Sequence, residues 1–264
     1  MEEIRVTTWA ELQEHLFADS WNRELQRHRA NYAFRGRGDA ADDLATSLLK
    51  LGGDAARLER HLMRNFRKYA ARDLVPSDSP WNWLALGQHY GLPTRLLDWT
   101  FSPYVALHFA TSSVDRFDRD GVVWLVDYVR AHEFAPRPFC KELENEGADV
   151  FTTEMLAAVA MDFDDLWSGD EEFVLFVEPP SFDERIVNQY ALFSLLSRPD
   201  ARLDAWLERH PEIARRLLIP AELKPEVRDK LDQAGVNERV LFPGLEGLTR
   251  WVTRYYAPSP RNAL

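Results

Sequence analysis

The chain carries a single cysteine, Cys140, in 264 residues. One thiol cannot close a disulfide within the chain or build a multi-thiolate zinc site, so a reducing compartment is expected and no metal centre. No apolar run approaches the roughly 20 residues needed to span a bilayer. The opening residues, MEEIRVTTWAELQEHL, are acidic and amphipathic where a secretory leader has a positive segment and an apolar one. A cytoplasmic protein with no membrane partner is the expectation. Positive charge is short too: 32 Lys and Arg stand against 43 Asp and Glu, a formal net charge of −11. Nucleic-acid binding rests largely on cations that neutralise phosphates, so this balance argues against a broad surface for it. Arg35, Arg37, Arg64, Arg67, Lys68 and Arg72 offer a local positive patch, or simply solvated helix faces. Phosphate-loop, dinucleotide-binding, zinc-protease and nucleophile-elbow motifs are all missing. Asp39, Asp42 and Asp43 lie so close together that they read as a solvated turn and helix start, not as the carboxylate cluster of a metal nuclease.

Aromatic residues are abundant: nine Trp, fifteen Phe and eight Tyr in a chain that is 45% hydrophobic. That is enough apolar surface for a full core without covalent staples. The pattern is α+β. Thr8 caps a helix read as running to Arg29, with Glu11 three residues on as in a capping box. Tyr32 to Gly36 reads as a strand that delivers Arg35 to its end. Residues 54–72 have Leu58, Leu62, Phe66 and Tyr69 at helical spacing. Trp81 to Tyr90 is helical and stops at Gly91-Leu92-Pro93. Thr94 to Trp99 is extended, and Ser102-Pro103 opens a helix through Thr111. Gly121 to Tyr128 is the strongest strand signal, and Phe173 to Val177 a second. Residues 185–196 fit helix or strand. Residues 200–233 have helical composition, Glu238 to Phe242 reads as a last strand, and Leu245 to Tyr255 as a last helix. The acidic stretch Glu142 to Asp170 reads as an insertion or lid.

Three blocks carry a resemblance. Phe34-Arg35-Gly36 is followed by Leu86-Gly87-Gln88-His89-Tyr90-Gly91-Leu92-Pro93-Thr94-Arg95-Leu96-Leu97-Asp98-Trp99-Thr100, and then by Ser102-Pro103 with Ala106-Leu107-His108-Phe109-Ala110. With these the chain closely resembles the FRG domain family, over roughly residues 30–255. Arg185-Ile186, Gln189, Phe193 and the run Leu241 to Leu248 match further on. The implied organisation is a 1–29 helical segment, a 30–255 domain with an insertion at 142–170, and a 256–264 tail. More distantly, the aromatic-Arg-Gly strand end and the Asp98 to Ser102 strand with its following helix are similar to ADP-ribosyltransferases of the arginine-serine-glutamate type. That likeness implies a small mixed or antiparallel β core surrounded by helices, and NAD as substrate. The setting it implies is a mono-ADP-ribosyltransferase-like effector or toxin in bacterial conflict or phage defence.

On that resemblance Arg35 holds the pyrophosphate, because a guanidinium presents a planar two-pronged donor to phosphate oxygens. Gly36 lets the ligand approach the backbone. Thr100 and Ser102 line the nicotinamide side, with Gln189 or Glu184 near the reacting carbon. Glu238 is a rival for the acid, and Gln189 cannot become anionic. Strand alternation puts Thr94, Leu96, Asp98 and Thr100 on one side and Arg95, Leu97 and Trp99 on the other. Asp98 then needs a cation, Arg95 or Arg35. Gln88, His89 and Tyr90 offer hydrogen bonds and a stacking face for a ribose or base. Two other readings stay open: a non-catalytic nucleotide- or peptide-binding module, and a hydrolase or nuclease using Asp98 and His89.

Overall fold

The computed structural model describes residues 1–167 and 171–257. An eight-stranded mixed sheet forms the spine of an α+β fold. In chain order its strands are β1 (Glu2–Arg5), β4 (Tyr32–Arg37), β5 (Leu96–Thr100), β6 (Gly121–Asp127), β7 (Phe151–Thr152), β8 (Val174–Glu178), β9 (Ala191–Leu196) and β10 (Ala214–Ile219). The short β2 (Trp21–Asn22) and β3 (Arg27–His28) make a separate hairpin. Across the sheet the order is β1-β10-β6-β4-β5-β9-β8-β7. The outer pairs β1–β10 and β7–β8 are parallel and the inner pairs antiparallel.

The centre of the sheet is imperfect where it matters. β4 runs in full register with β6 from Tyr32 opposite Asp127 to Arg37 opposite Val122, and β5 with β9 from Leu96 opposite Leu195 to Thr100 opposite Ala191. Between β4 and β5, Phe34 opposite Thr100 is the one registered pair among the described residues. Beyond it the two strands part.

Helices cover the sheet. The Trp9–Leu16, Pro103–Thr111 and Lys224–Gln233 helices bury Leu12, Leu16, Ala106, Leu107, Val227 and Leu231 against Phe34, Val123 and Leu217. The Pro80–His89 helix packs Trp81, Trp83, Leu84 and Leu86 with Leu96, Phe173 and Leu195. Gly36 is what lets the Pro103–Thr111 helix sit so close: a Cβ there would lie 1.8 Å from the Ala106 carbonyl oxygen.

Several expectations need correction. The first helix ends at Leu16, not Arg29; Asp19 takes φ 57° and the chain turns into the β2–β3 hairpin. Residues 214–219, expected helical, form a strand because β1 and β6 are there to pair on both sides. Glu238 to Phe242, expected as a strand, is instead a Glu238–Leu241 helix capped by the Asn237 side chain, which accepts the Val240 N–H. The open segment 185–196 resolves into the Glu184–Asn188 helix followed by β9. The 142–170 stretch seats Leu143, Phe151, Met155 and Leu156 in the core; residues 168–170 of it, and 258–264 of the tail, lie outside the described residues.

Candidate functional site

Where β4 and β5 part, a cavity of about 210 Å³ opens. Its walls are Arg35, Gly36 and Arg37 from β4, Asp98, Trp99 and Thr100 from β5, and Gln88 and His89 from the end of the Pro80–His89 helix. Arg185, Ile186 and Gln189 close one side, and Phe34, Phe109, Ala191 and Phe193 add apolar surface. The residues of the FRG tripeptide divide the work. Phe34 is core, Arg35 enters the cavity, and Gly36 yields space to a helix.

Arg35 bridges the split. Its Nη1 donates to the main-chain carbonyl of Asp98, replacing a ladder bond that the diverging strands cannot make. Its Nε is buried without a partner, and no carboxylate lies within ion-pair distance among the described residues. The residue as a whole is half-buried and lines the cavity. Burial pulls its pKa down to about 10, and the Asp98 charge only partly opposes this. Arg37 is in a different position, paired with Asp42 at 2.8 Å. Arg185 is exposed, with its guanidinium 5.2 Å above the Phe242 ring.

Asp98 is held on one side only. Gln88 Nε2 donates to its Oδ1 at 2.9 Å, and Thr94 Oγ1 donates to Gln88 Oε1 at 2.5 Å. Asp98 Oδ2 has no hydrogen bond among the described residues. His89 Nε2 lies 2.7 Å from Asp183 Oδ2, with its side chain 7% exposed. Asp183 also caps the Glu184–Asn188 helix, accepting from the Arg185 and Ile186 N–H groups. Burial pushes Asp183 up, but the Ile186 N–H and the His89 bond outweigh it and hold the carboxyl below its usual range. Thr100 donates to the Gln189 carbonyl at 2.7 Å, and Gln189 Nε2 donates to the Leu241 carbonyl at 2.8 Å. The β5 end and the Glu184–Asn188 helix are thereby tied to the C-terminal helices.

The sequence-derived candidates therefore separate. Arg35, Gly36, His89, Asp98, Thr100 and Gln189 meet at the cavity. The other four are placed elsewhere. Ser102 caps the Pro103–Thr111 helix through the Val105 N–H. Tyr90 is 64% exposed just past the helix end, where Gly91 takes φ +82°. Arg95, just ahead of β5, forms a buried pair with Glu59. Glu184 is exposed in the first turn of its helix and does not line the cavity. The rival acid Glu238 is bound to Arg254 away from the cavity. Gly36 borders the cavity, but the absent side chain serves the helix behind it and not a ligand. Sequence reasoning missed Asp183 as the partner of His89 and Phe109 as a wall. The helix-start position of Asp183 was a visible signal for the first.

Among the described residues no three His, Cys, Asp or Glu side chains are placed to hold a metal ion, and no helix is long and apolar enough to cross a membrane.

Residues 30–119 match the family model of the FRG domain, covering β4, β5 and most of the cavity's motif residues. No curated protein and no solved structure matches the chain.

Proposed function

We propose that this FRG domain protein binds a small phosphorylated ligand of the nucleotide class in the cavity between β4 and β5, NAD being the candidate that the resemblance suggests. Arg35 is the observation that carries the reading. A half-buried guanidinium whose Nε is buried without a partner, and which has no carboxylate within ion-pair distance among the described residues, is costly to fold around. An anionic ligand would supply the partner. Phosphate suits it, since guanidinium donors match phosphate oxygens in a plane. Arg185 at the rim adds a second cation, so the wall is locally positive in a chain of net charge −11. Phe109 and Phe193 provide apolar surface for the rest of a ligand.

A second reading is NAD-consuming: ADP-ribosyl transfer or hydrolysis, as in an effector of bacterial conflict. Two observations favour it. Asp98 is a carboxylate in the wall beside Arg35, and His89 is oriented by Asp183 as a base is oriented by a second group. In this reading the bond between ribose and nicotinamide breaks and nicotinamide leaves with the electron pair. Asp98, not Glu184 or Gln189, stabilises the positive ribosyl centre, and His89 takes the proton of the attacking water or acceptor.

Calorimetric titration with NAD and ADP-ribose tests the first reading, beside Arg35→Ala and an assay for released nicotinamide. Saturable binding is expected, weakened at least about thirtyfold in the variant. Failure of the wild-type protein to bind either compound overturns it. Nicotinamide release that Asp98→Asn abolishes supports the second reading, whereas binding without release leaves a binding module.

A further inference from the structure

We infer that the cavity takes the ribosyl phosphate end of its ligand, sugar hydroxyls on Asp98 and phosphate on Arg35, and leaves the base outside. The inference rests on the binding reading above and specifies which chemical group the walls recognise.

Size restricts the choice first. A cavity of about 210 Å³ is smaller than the roughly 300–1,000 Å³ of pockets that enclose a drug-sized ligand, so only one end of a nucleotide such as NAD fits within it.

The polar groups then say which end. Thr94 Oγ1 accepts the Leu96 N–H at 3.1 Å, so its own hydrogen is free to donate to Gln88 Oε1. With its carbonyl committed to Thr94, the Gln88 amide turns its NH2 toward Asp98 Oδ1. Thr94 is itself anchored: its N–H donates to Ser47 Oγ at 3.1 Å, and its side chain is fully buried. The relay from Ser47 through Thr94 and Gln88 thus presents Asp98 as an acceptor with one oxygen, Oδ2, unengaged among the described residues. An acceptor in the wall calls for donors on the ligand, and adjacent sugar hydroxyls are donors that a carboxylate binds well.

Arg35 sits beside it, bonded to the main chain of that same Asp98, and needs the opposite: acceptor oxygens carrying charge. A heterocyclic base offers Arg35 no anion, and inorganic phosphate brings Asp98 a like charge and no pair of adjacent sugar hydroxyls. A phosphorylated pentose has both groups within one small unit.

Competition against NAD, read by calorimetry on the full chain, tests this with ribose 5-phosphate, 2-deoxyribose 5-phosphate, inorganic phosphate and nicotinamide as probes. Ribose 5-phosphate is expected to displace NAD at one site. The deoxy sugar and inorganic phosphate should each be weaker by about tenfold or more, the worth of a lost charge-assisted hydrogen bond. In Asp98→Asn the three phosphates should converge in affinity, with Tm unchanged as the check on folding. In Arg35→Ala all three should be lost. Should NAD bind in an Arg35-dependent way while nicotinamide displaces it and ribose 5-phosphate does not, the base end occupies the cavity; the inference falls and the binding reading stands. Equal affinity of the wild-type protein for ribose 5-phosphate and inorganic phosphate also overturns it. No binding of NAD or of any phosphate overturns both.

Discussion

Arg35 stands on β4 and Arg95 just ahead of the neighbouring β5, both within the motif-bearing blocks, and the protein treats them in opposite ways. Arg95 is saturated. Its Nε donates to Glu59 Oε1 at 2.7 Å, its Nη2 to the other Glu59 oxygen, and its Nη1 to the Ser197 carbonyl at 3.0 Å. The two side chains are 4% and 2% exposed. Arg35 has one main-chain bond and an orphaned Nε. Both guanidiniums were taken out of bulk water at a cost, but only for Arg95 does the fold itself return the interaction. Sequence pattern alone rates the two alike, as arginines near a strand. The difference is whether a carboxylate waits on the far side, and the Ala55–Tyr69 helix brings Glu59 only to Arg95.

Breaking the saturated site should have the largest effect on stability. Glu59→Ala leaves Arg95 buried and uncompensated, and a loss of about 3–5 kcal/mol in urea denaturation is expected. Glu59→Leu combined with Arg95→Met should recover most of that loss; a double variant as unstable as the single one would show that the pair is needed for more than its charge balance. Ligand binding by the folded double variant should match the wild type, since neither residue lines the cavity.

Acid sharpens the contrast next. His132 is buried with Nε2 accepting the Phe176 N–H at 2.8 Å, and burial draws its pKa down to about 4. His108 is drawn down to about 3, by burial first and the Arg228 charge second, with its Nδ1 2.9 Å from the Arg228 guanidinium. Both imidazoles take up a proton in the unfolded chain before they do so in the folded one. Their contribution is therefore intact above about pH 6.5 and is lost as pH falls toward the folded values. A loss on the order of 2–3 kcal/mol between pH 6.5 and pH 4 is expected from His132. His132→Gln should flatten the profile across that window. An unchanged slope in the variant would assign the acid sensitivity elsewhere. Glu238 adds to the loss at lower pH. Burial pushes it up, but the Arg254 hydrogen bonds prevail and hold it near 2, so its contribution declines only as pH falls below its ordinary carboxylate range.

Gly36→Ala comes third. The added methyl would meet the Ala106 carbonyl oxygen, so the helix must move away from β4, at about 1–3 kcal/mol. If the alanine variant kept full stability but lost ligand affinity, the glycine would be serving the cavity and not the helix.

What was legible in the sequence was local. The alternation along Thr94 to Thr100 is realised: Leu97 and Trp99 enter one core, Leu96 another, and Asp98 faces Gln88. The Ser102 cap followed by proline marks the start of the Pro103–Thr111 helix, while the helix read from Trp81 begins one residue earlier, at Pro80 after a Ser79 cap. What was not legible depended on partners distant in the chain. Ala214 to Ile219 carries two arginines and reads as helix. In the fold Arg215 lies 4.8 Å over the Tyr32 ring and Arg216 4.6 Å over Trp124, on a strand that β1 and β6 hold from either side. Val240, Leu241 and Phe242 have strand propensity, yet Asn237 captures the chain into a helix whose Leu241 carbonyl then receives Gln189. The carboxylate question was of the same kind. Glu184 sits one residue beyond Asp183, and the cap sends Asp183 to His89 while Glu184 points to solvent.

The smallest change in stability is expected at the residue that matters most for binding. Arg35→Met keeps length and apolar stem, removes a charge held with no carboxylate partner, and gives up one main-chain bond. The relief of desolvation opposes the lost bond, so the net change should stay within about 1 kcal/mol. Arg95→Met alone should be far worse, because it strands Glu59 in the core. Thermal and urea unfolding of the two variants side by side reads the comparison directly. If Arg35→Met proves as destabilising as Arg95→Met, then Arg35 is a structural strut across the β4–β5 split, and the case for an anion in the cavity loses its main support. If it is neutral while phosphate-bearing ligands no longer bind, the unfilled hydrogen-bonding capacity of Arg35 is reserved for something the chain does not itself provide.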